Sequence, residues 1–298
     1  MIQKTKGILY TGINLGEWKI PKACVFCGDD TVGITAEHVF GDWISRFFTQ
    51  ELGVQLNGLA ELVSADGTSR QYPMTPFQQT VKIACKSCNN GWMSDLEKSV
   101  MGDLKVMIKG QPKMLRSNAK QRLAFWCAKT ALVADYLHPQ QRIVPDAHFH
   151  DLFMQRSALR NQFILAGFRS VTAEQPGDLL ASVLKQPVLN VEIPTDFPSS
   201  SREQIQRYAA EGHAMYKVTF AIGNFAALVF GHDFPMGVSI NSPRPVAKNI
   251  WPMSRRFKWS NELSIDAIGG LPGFHAAFSP GPDGSALPAD VPGRIPVP

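Results

Sequence analysis

Residues 24–28 read Cys-Val-Phe-Cys-Gly and residues 85–89 read Cys-Lys-Ser-Cys-Asn, and these two stretches decide the fold. Each Cys-x-x-Cys pair predicts a tight turn, and Gly28 permits the left-handed backbone that such a turn often needs. Four thiolates from two turns satisfy the tetrahedral preference of Zn²⁺, so we predict one structural zinc site. The alternative is a set of unrelated buried thiols. The predicted ligands are Cys24, Cys27, Cys85 and Cys88.

The composition is typical of a globular protein, with 298 residues of which 44% are hydrophobic and 18% charged. It therefore excludes a chain that is disordered throughout. The longest apolar stretch, Val218 to Phe230, is interrupted by Gly223 and Asn224 and is shorter than the roughly 20 residues that cross a bilayer. We predict a cytoplasmic protein without membrane contact. In that reducing compartment paired cysteines favour metal binding over disulfides.

The excess of positive charge lies in the second two thirds of the chain. The net charge is +5, and residues 101–298 contain 21 basic against 15 acidic residues. No acidic residue occurs between Asp103 and Asp135, although seven basic residues do. Such a stretch suits a polyanion, while a solvated helix face is the alternative. The predicted nucleic-acid contacts are Lys105, Lys109, Lys113, Arg116 and Lys120.

Hydrophobic patterning predicts an α+β protein. Residues 1–109 are predicted to form the zinc-bound domain, with an insert at about 41–80. Residues 110–268 are predicted to form a mainly helical α+β domain, and residues 269–298 are predicted to be a flexible Gly/Pro tail. The predicted helices cover Trp43 to Phe48, Asn89 to about Lys109 (with Ser94 and Glu97 as an alternative start), Ser117 to Leu137, Asp146 to Leu159 and Ser201 to Glu211. The predicted strands are Val81 to Ala84, Gln162 to Phe168, and two hairpins over Glu61 to Tyr72, around Asp66-Gly67, and Lys217 to Phe230.

Three polar residues lie close to the cysteine pairs. Glu37-His38 follows Cys27 by ten residues, and Asn89 directly follows Cys88. In a zinc-stapled ββα unit, a strand ending at Glu37-His38 faces the start of the second helix. Glu37 and Asn89 then supply oxygen ligands to Mg²⁺ or Mn²⁺, and His38 acts as a general base. The alternatives are a histidine that braces the zinc turn and an asparagine that caps a helix.

Cys-x-x-Cys-Gly, Glu-His-Val and Cys-x-x-Cys-Asn together resemble the four-cysteine branch of the HNH, or His-Me finger, endonucleases. The residues from Cys88 to Glu97 are similar to a subgroup of prokaryotic HNH proteins with a Cys-Asn-x-Gly-Trp-Met-Ser motif. The resemblance covers residues 20–100 and implies a treble-clef-like ββα-metal finger that cleaves phosphodiester bonds with one divalent metal. It assigns Glu37, His38 and Asn89 to catalysis.

This sequence differs from the family pattern at three places. Gly41 stands two residues after Val39, where many members have proline, and Glu37 replaces the commoner aspartate. The middle asparagine, which orients the histidine, has no clear match. Its candidate replacements are Asn57, Gln78, Gln79, Thr80 or a backbone carbonyl.

The resemblance implies DNA as the substrate, with RNA left open, and products that carry a 5′-phosphate. It also implies a setting in defence against phage or mobile elements. A homodimer and a signal-sensing role for residues 110–268 are left open as well. The main alternative is a non-catalytic treble-clef zinc module that binds nucleic acid or a protein partner.

Overall fold

The computed structural model describes most of the chain from residue 20 to residue 282. The described residues are 20–54, 60–63, 69–72, 76–137, 139, 142–171, 182–187, 207–208, 210–234, 238–241, 246–252, 257–260, 264–277 and 279–282. Within them the architecture is α+β. None of the helices in these ranges has the length and apolar character needed to span a membrane.

The first cysteine pair precedes a small unit of two strands and a helix, and the second pair lies between its second strand and its helix. Strand β1 (Ile34–His38) pairs antiparallel with a later strand of the unit, Thr80–Cys85, with His38 opposite Thr80. A helical run follows directly, because Lys86–Cys88 (α2), a π-helical turn over Asn89–Met93 and Ser94–Ile108 (α3) succeed one another. Gly91 interrupts this run with non-helical dihedrals (φ −90°, ψ −112°), and α3 begins at Ser94, which agrees with the alternative start. Ser94 itself has helical dihedrals, and no side-chain hydrogen bond caps the start of α3.

The segment between the two strands contains the predicted helix and hairpin. Asp42–Arg46 (α1) continues as a π-helical turn over Phe47–Glu51, and the chain reverses near Gly53. Ala60–Val63 (β2) pairs antiparallel with Ser69–Tyr72 (β3), which confirms the hairpin. The predicted turn at residues 66–67 lies outside the described residues. Thr80–Cys85 is β4 in this numbering.

The second half of the chain is built around a five-stranded antiparallel sheet. The strands are β6 (Gln162–Phe168), β7 (Ser182–Pro187), β8 (Met215–Ile222), β9 (Phe225–His232) and β11 (Ala247–Trp251). Their order in the sheet is β11-β6-β9-β8-β7. The other elements include β5 (Lys113–Leu115), α4 (Ser117–Asp135), α5 (Asp146–Gln155), β10 (Val238–Asn241), β12 (Phe257–Trp259), a 3-10 helix (Ile265–Ile268), α6 (Gly270–Ala277) and β13 (Ser279–Pro282).

The β8–β9 hairpin connects this sheet to the first half of the chain. Gly223 has a positive φ of 53°, and an added Cβ would lie 2.8 Å from the carbonyl oxygen of Ile108. The next residue, Asn224, donates its backbone N–H to the same oxygen at 3.1 Å. The end of α3 is therefore hydrogen-bonded to the tip of the sheet. One hydrophobic core continues across the predicted domain boundary between residues 109 and 110. Helix α4 packs between the two halves of the chain.

Three predictions for residues beyond 110 need correction. The second half is not mainly helical, because strands account for more of its described residues than helices do. The tail predicted from residue 269 is wrong as far as residue 282, since α6 packs on the sheet and β13 pairs with β10. The helix predicted from Asp146 ends at Gln155, where Arg156 adopts the left-handed conformation.

The other predicted elements of the second half agree with the structure where it describes them. The long helix α4, strand β6 and the β8–β9 hairpin are confirmed. Of the helix predicted over residues 201–211, Arg207, Tyr208 and Ala210 are helical, and residues 201–206 lie outside the described ranges. The domain boundaries stay a prediction.

Candidate metal centre and cleft

The four predicted zinc ligands converge on one point. The Sγ atoms of Cys24, Cys27, Cys85 and Cys88 all lie within 4.8 Å of one another. The Cys27 and Cys85 Sγ atoms are 3.7 Å apart. Four sulfurs at about 2.3 Å from a tetrahedral Zn²⁺ are about 3.8 Å apart, so this donor set fits the ion. The cluster could hold a metal such as zinc.

Backbone hydrogen bonds shape the first cysteine turn and attach it to the strands. Gly28, at φ 76°, donates its N–H to the Cys24 carbonyl at 2.8 Å, which closes the turn. Val25 donates to the Ile83 carbonyl of β4 at 3.0 Å. Because the thiols are close together, the Cys88 side chain lowers the pKa of Cys24 to about 4. The Cys24 side chain in turn raises the pKa of Cys88.

A cleft of about 270 Å³ opens beside this cluster, between the end of β1 and the start of α3. The three predicted catalytic residues, Glu37, His38 and Asn89, all line it. The other lining residues are Gly41, Asp42, Trp43, Arg46, Asn90, Met93, Ser94, Glu97, Lys98 and Met101.

The side-chain amide of Asn89 has a fixed orientation. Its nitrogen donates to the Ala36 carbonyl at 2.9 Å and to the Thr35 hydroxyl at 3.1 Å. The Thr35 hydroxyl donates its own proton to the Ala84 carbonyl at 3.0 Å, so it can only accept from Asn89. Asn89 Oδ1 makes no hydrogen bond to any described residue and remains a potential oxygen ligand. Its side chain does not act as a helix cap.

Glu37 belongs to a buried ionic network that the sequence analysis did not predict. Lys129 of α4 has no solvent exposure, and its Nζ lies 3.0 Å from Glu37 Oε1 and 2.9 Å from Glu97 Oε1. Burial alone lowers the pKa of Lys129, but the Glu97 and Glu37 carboxylates outweigh it and raise that pKa above its ordinary value. Lys129 is therefore charged at neutral pH. Glu37 Oε2 makes no hydrogen bond to any residue in the described ranges.

Glu97 is held by two indole groups as well as by Lys129. Trp126 donates its Nε1–H to Glu97 Oε1 at 2.8 Å, and Trp43 donates to Oε2 at 2.6 Å. The Glu97 carboxylate also passes close to Gly41, where an added Cβ would lie 2.5 Å from Oε2. Both oxygens of Glu97 are thus occupied by protein donors, and Gly41 leaves room for them.

His38 is half-buried at the cleft and lies opposite Thr80 in the β1–β4 pair. No described residue makes a hydrogen bond to its ring. The side-chain oxygen of Gln79 is buried without a hydrogen-bond partner among the described residues. Gln79 shares the strand face of Val81, however, whereas His38 lies opposite Thr80. The residue that replaces the family's middle asparagine is not identified by a contact, and Asn57 lies outside the described residues.

The predicted nucleic-acid contacts occupy different environments. Lys120 is buried next to Leu123 on α4 and so does not present the exposed ammonium that its predicted phosphate contact requires. Lys105 pairs with Glu51, and Lys113 pairs with Asp103 at 2.7 Å. Lys109 and Arg116 are exposed. Arg116 lines a second surface cleft together with Lys113 and Arg122.

The missed residues left a signal in the sequence. Residues 123–134 are apolar apart from Lys129 and Thr130, so Lys129 lies in the middle of an apolar run that predicts burial. A buried ammonium requires a carboxylate partner, which predicts an ion pair although not its identity.

No family model, curated protein or solved structure matches this chain.

Proposed function

We propose that this protein is an HNH-type endonuclease that hydrolyses phosphodiester bonds in DNA. In this proposal the two strands and the helix around the cysteines form a treble-clef-like ββα-metal finger. Zn²⁺ at the four cysteines has a structural role, and Mg²⁺ or Mn²⁺ is the catalytic ion. Defence against phage or mobile elements is the setting that the family resemblance suggests.

The observation that carries the proposal is the shared cleft of Glu37, His38 and Asn89 beside the cysteine cluster. These residues come from β1 and from the helical run after β4, and they offer a carboxylate oxygen, an imidazole and an amide oxygen. Glu37 Oε2 and Asn89 Oδ1 are both without protein hydrogen bonds in the described ranges. Oxygen donors of this kind, with room for water, suit a hard divalent cation.

In the proposed reaction Glu37 and Asn89 hold the cation, which stabilises charge on the scissile phosphate and on the leaving oxygen. His38 removes a proton from the attacking water, and it is accessible for this role because it is half-buried and lines the cleft. The products would carry a 5′-phosphate, as in the family that the chain resembles.

Basic side chains at the cleft support a polyanionic substrate. Lys98 and Arg46 line its rim with side chains that are 68% and 59% exposed, and each is also paired with an exposed carboxylate, Asp95 and Asp42 respectively. Lys98, Lys105 and Lys109 recur at intervals of seven and four residues, which places them along one side of α3. Neutralisation of phosphates by these residues would make binding fall steeply as salt increases.

The experiment is a cleavage assay with purified protein on plasmid, single-stranded DNA and RNA, in Mg²⁺, Mn²⁺ or chelator. We expect metal-dependent cleavage of DNA by the unaltered protein. His38→Ala should abolish it without loss of bound zinc or helicity. His213→Ala is the matched control, because His213 is also partly exposed but lies outside the cleft.

Cleavage that persists in His38→Ala would refute the general-base assignment. Absence of cleavage by the unaltered protein in every metal would refute the nuclease. If that protein still bound nucleic acid or a protein partner, and His38→Ala bound equally well, the non-catalytic zinc module would be the better description.

A further inference from the structure

Lys129 reaches the candidate site from the opposite half of the chain. It is 92 residues from Glu37 in sequence, and its ammonium is fully buried between β1 and α3. A buried charge is retained only with well-placed partners, since its desolvation costs several kcal/mol. Two carboxylates within 3.0 Å of one nitrogen satisfy this requirement.

The partner on the far side of Lys129 is fixed. Glu97 accepts from Trp126, Trp43 and Lys129, at distances from 2.6 to 2.9 Å, and only 12% of its side chain is exposed. With all these donors on its two oxygens, Glu97 cannot turn toward a cation without breaking a buried hydrogen bond. Glu97 is thus an anchor for Lys129.

The partner on the near side is Glu37, and Lys129 engages only one of its oxygens. The bond to Oε1 fixes the carboxylate and leaves Oε2 without a protein donor. The three ionised groups together carry one negative charge, which attracts a cation.

We propose that Lys129 is a positioning residue of the divalent-metal site: anchored by Glu97, it holds Glu37 so that Oε2 is directed to the catalytic cation. This inference rests on the proposed function, because it takes Glu37 as a metal ligand. It makes α4 a structural part of the site. Partners that orient a metal ligand typically contribute 10–100-fold to metal affinity.

The test measures the affinity of the zinc-loaded full chain for Mn²⁺ by electron paramagnetic resonance, without nucleic acid. Lys129→Met keeps an unbranched side chain but removes the charge, so Glu37 and Glu97 face each other less than about 6 Å apart. Glu97 keeps its indole donors, whereas Glu37 loses the hydrogen bond that fixes the orientation of its carboxylate. We expect Mn²⁺ affinity to fall about 10–100-fold.

Lys120→Met is the matched control, because it also removes a buried ammonium from α4 but lies outside the cleft. We expect its Mn²⁺ affinity to equal that of the unaltered protein. Cobalt substituted at the cysteines gives a thiolate absorption band, which should be the same in every folded variant. Unchanged or tighter Mn²⁺ binding by Lys129→Met with that band intact would overturn the proposal.

A second variant, Trp126→Phe, tests the same proposal if Lys129→Met fails to fold. Trp126→Phe removes one donor from Glu97 and leaves all three charges, and it should weaken Mn²⁺ binding about threefold or more. Unchanged affinity in Trp126→Phe would overturn the proposal. The proposed function fails separately, if the unaltered protein binds no Mn²⁺ or if Glu37→Gln binds it as well as the unaltered protein does.

Discussion

Gly41 gives the sharpest stability prediction, because the space around it is filled by the side chains that hold the ionic network. Its backbone dihedrals, φ −52° and ψ 138°, are open to any residue. A Cβ at this position would nevertheless lie 2.5 Å from Glu97 Oε2 and 2.8 Å from Trp43 Cδ1. Gly41→Ala therefore forces Glu97 or Trp43 to move without straining the backbone.

The size of the effect follows from what must move. Overpacking in a tight interior typically costs about 1–3 kcal/mol. Separation of the Trp43 indole from the Glu97 carboxylate removes a charged hydrogen bond worth about 1.5–3 kcal/mol. Alanine restricts the unfolded chain more than glycine does, which offsets about 0.4–1 kcal/mol of this destabilisation. We expect Gly41→Ala to lower the free energy of unfolding by about 2–4 kcal/mol.

The assay is urea unfolding of the zinc-loaded protein, followed by circular dichroism at pH 7. Gly102→Ala is the matched control, because Gly102 lies inside α3 with nothing within 4 Å of an added Cβ. Alanine is favoured over glycine in a helix, so this control should gain about 0.5–1 kcal/mol. A stability for Gly41→Ala within about 0.5 kcal/mol of the unaltered protein would refute the packing account of Glu97.

Three further predictions concern other parts of the molecule. Burial and nearby His148 lower the pKa of His232 to about 4, so between pH 6.5 and 4 the unfolded state binds a proton that the folded state does not. His232 alone should therefore contribute a loss of stability on the order of 2 kcal/mol at pH 5 relative to pH 7. His232→Phe should reduce the acid loss of stability, measured by urea unfolding at pH 7 and pH 5. An equal acid loss in both proteins would contradict this. Cys85→Ser should reduce bound zinc, measured by elemental analysis, to well below one equivalent, and an unchanged content would exclude the four-cysteine site. Arg122→Gln, in the exposed basic cleft, should reduce the slope of log DNA affinity against log salt concentration by about 0.9. Lys120→Gln, at a buried position, should leave that slope unchanged. Equal slopes in the two variants would show that exposure does not determine which basic residues contact DNA.

The elements nearest the cysteines were predictable because local signals define them. The Cys-x-x-Cys spacing predicts the turns, the alternation of Val81 and Ile83 with exposed neighbours predicts β4, and helical periodicity predicts α3 and α4. The Gly223-Asn224 turn between two apolar runs likewise predicts the β8–β9 hairpin. In each case a few adjacent residues contain the signal.

The errors occur where long-range packing decides the structure. Strand β13 includes Pro280 and Pro282 and has the composition of a tail, yet it pairs with β10. Lys120 and Lys129 belong to the same basic stretch of sequence, but both are buried, and only the fold brings Lys129 to Glu37 and Glu97. Charge counts along a sequence do not distinguish an exposed lysine from one that closes a buried ion pair.

The most direct test of the metal site is anomalous scattering from a crystal of the zinc-loaded protein soaked in Mn²⁺. We expect a zinc peak among the four cysteines and a separate manganese peak within about 2.0–2.6 Å of Glu37 Oε2 and Asn89 Oδ1. A zinc peak with no manganese between Glu37 and Asn89, in a crystal whose cleft is open to solvent, would contradict it.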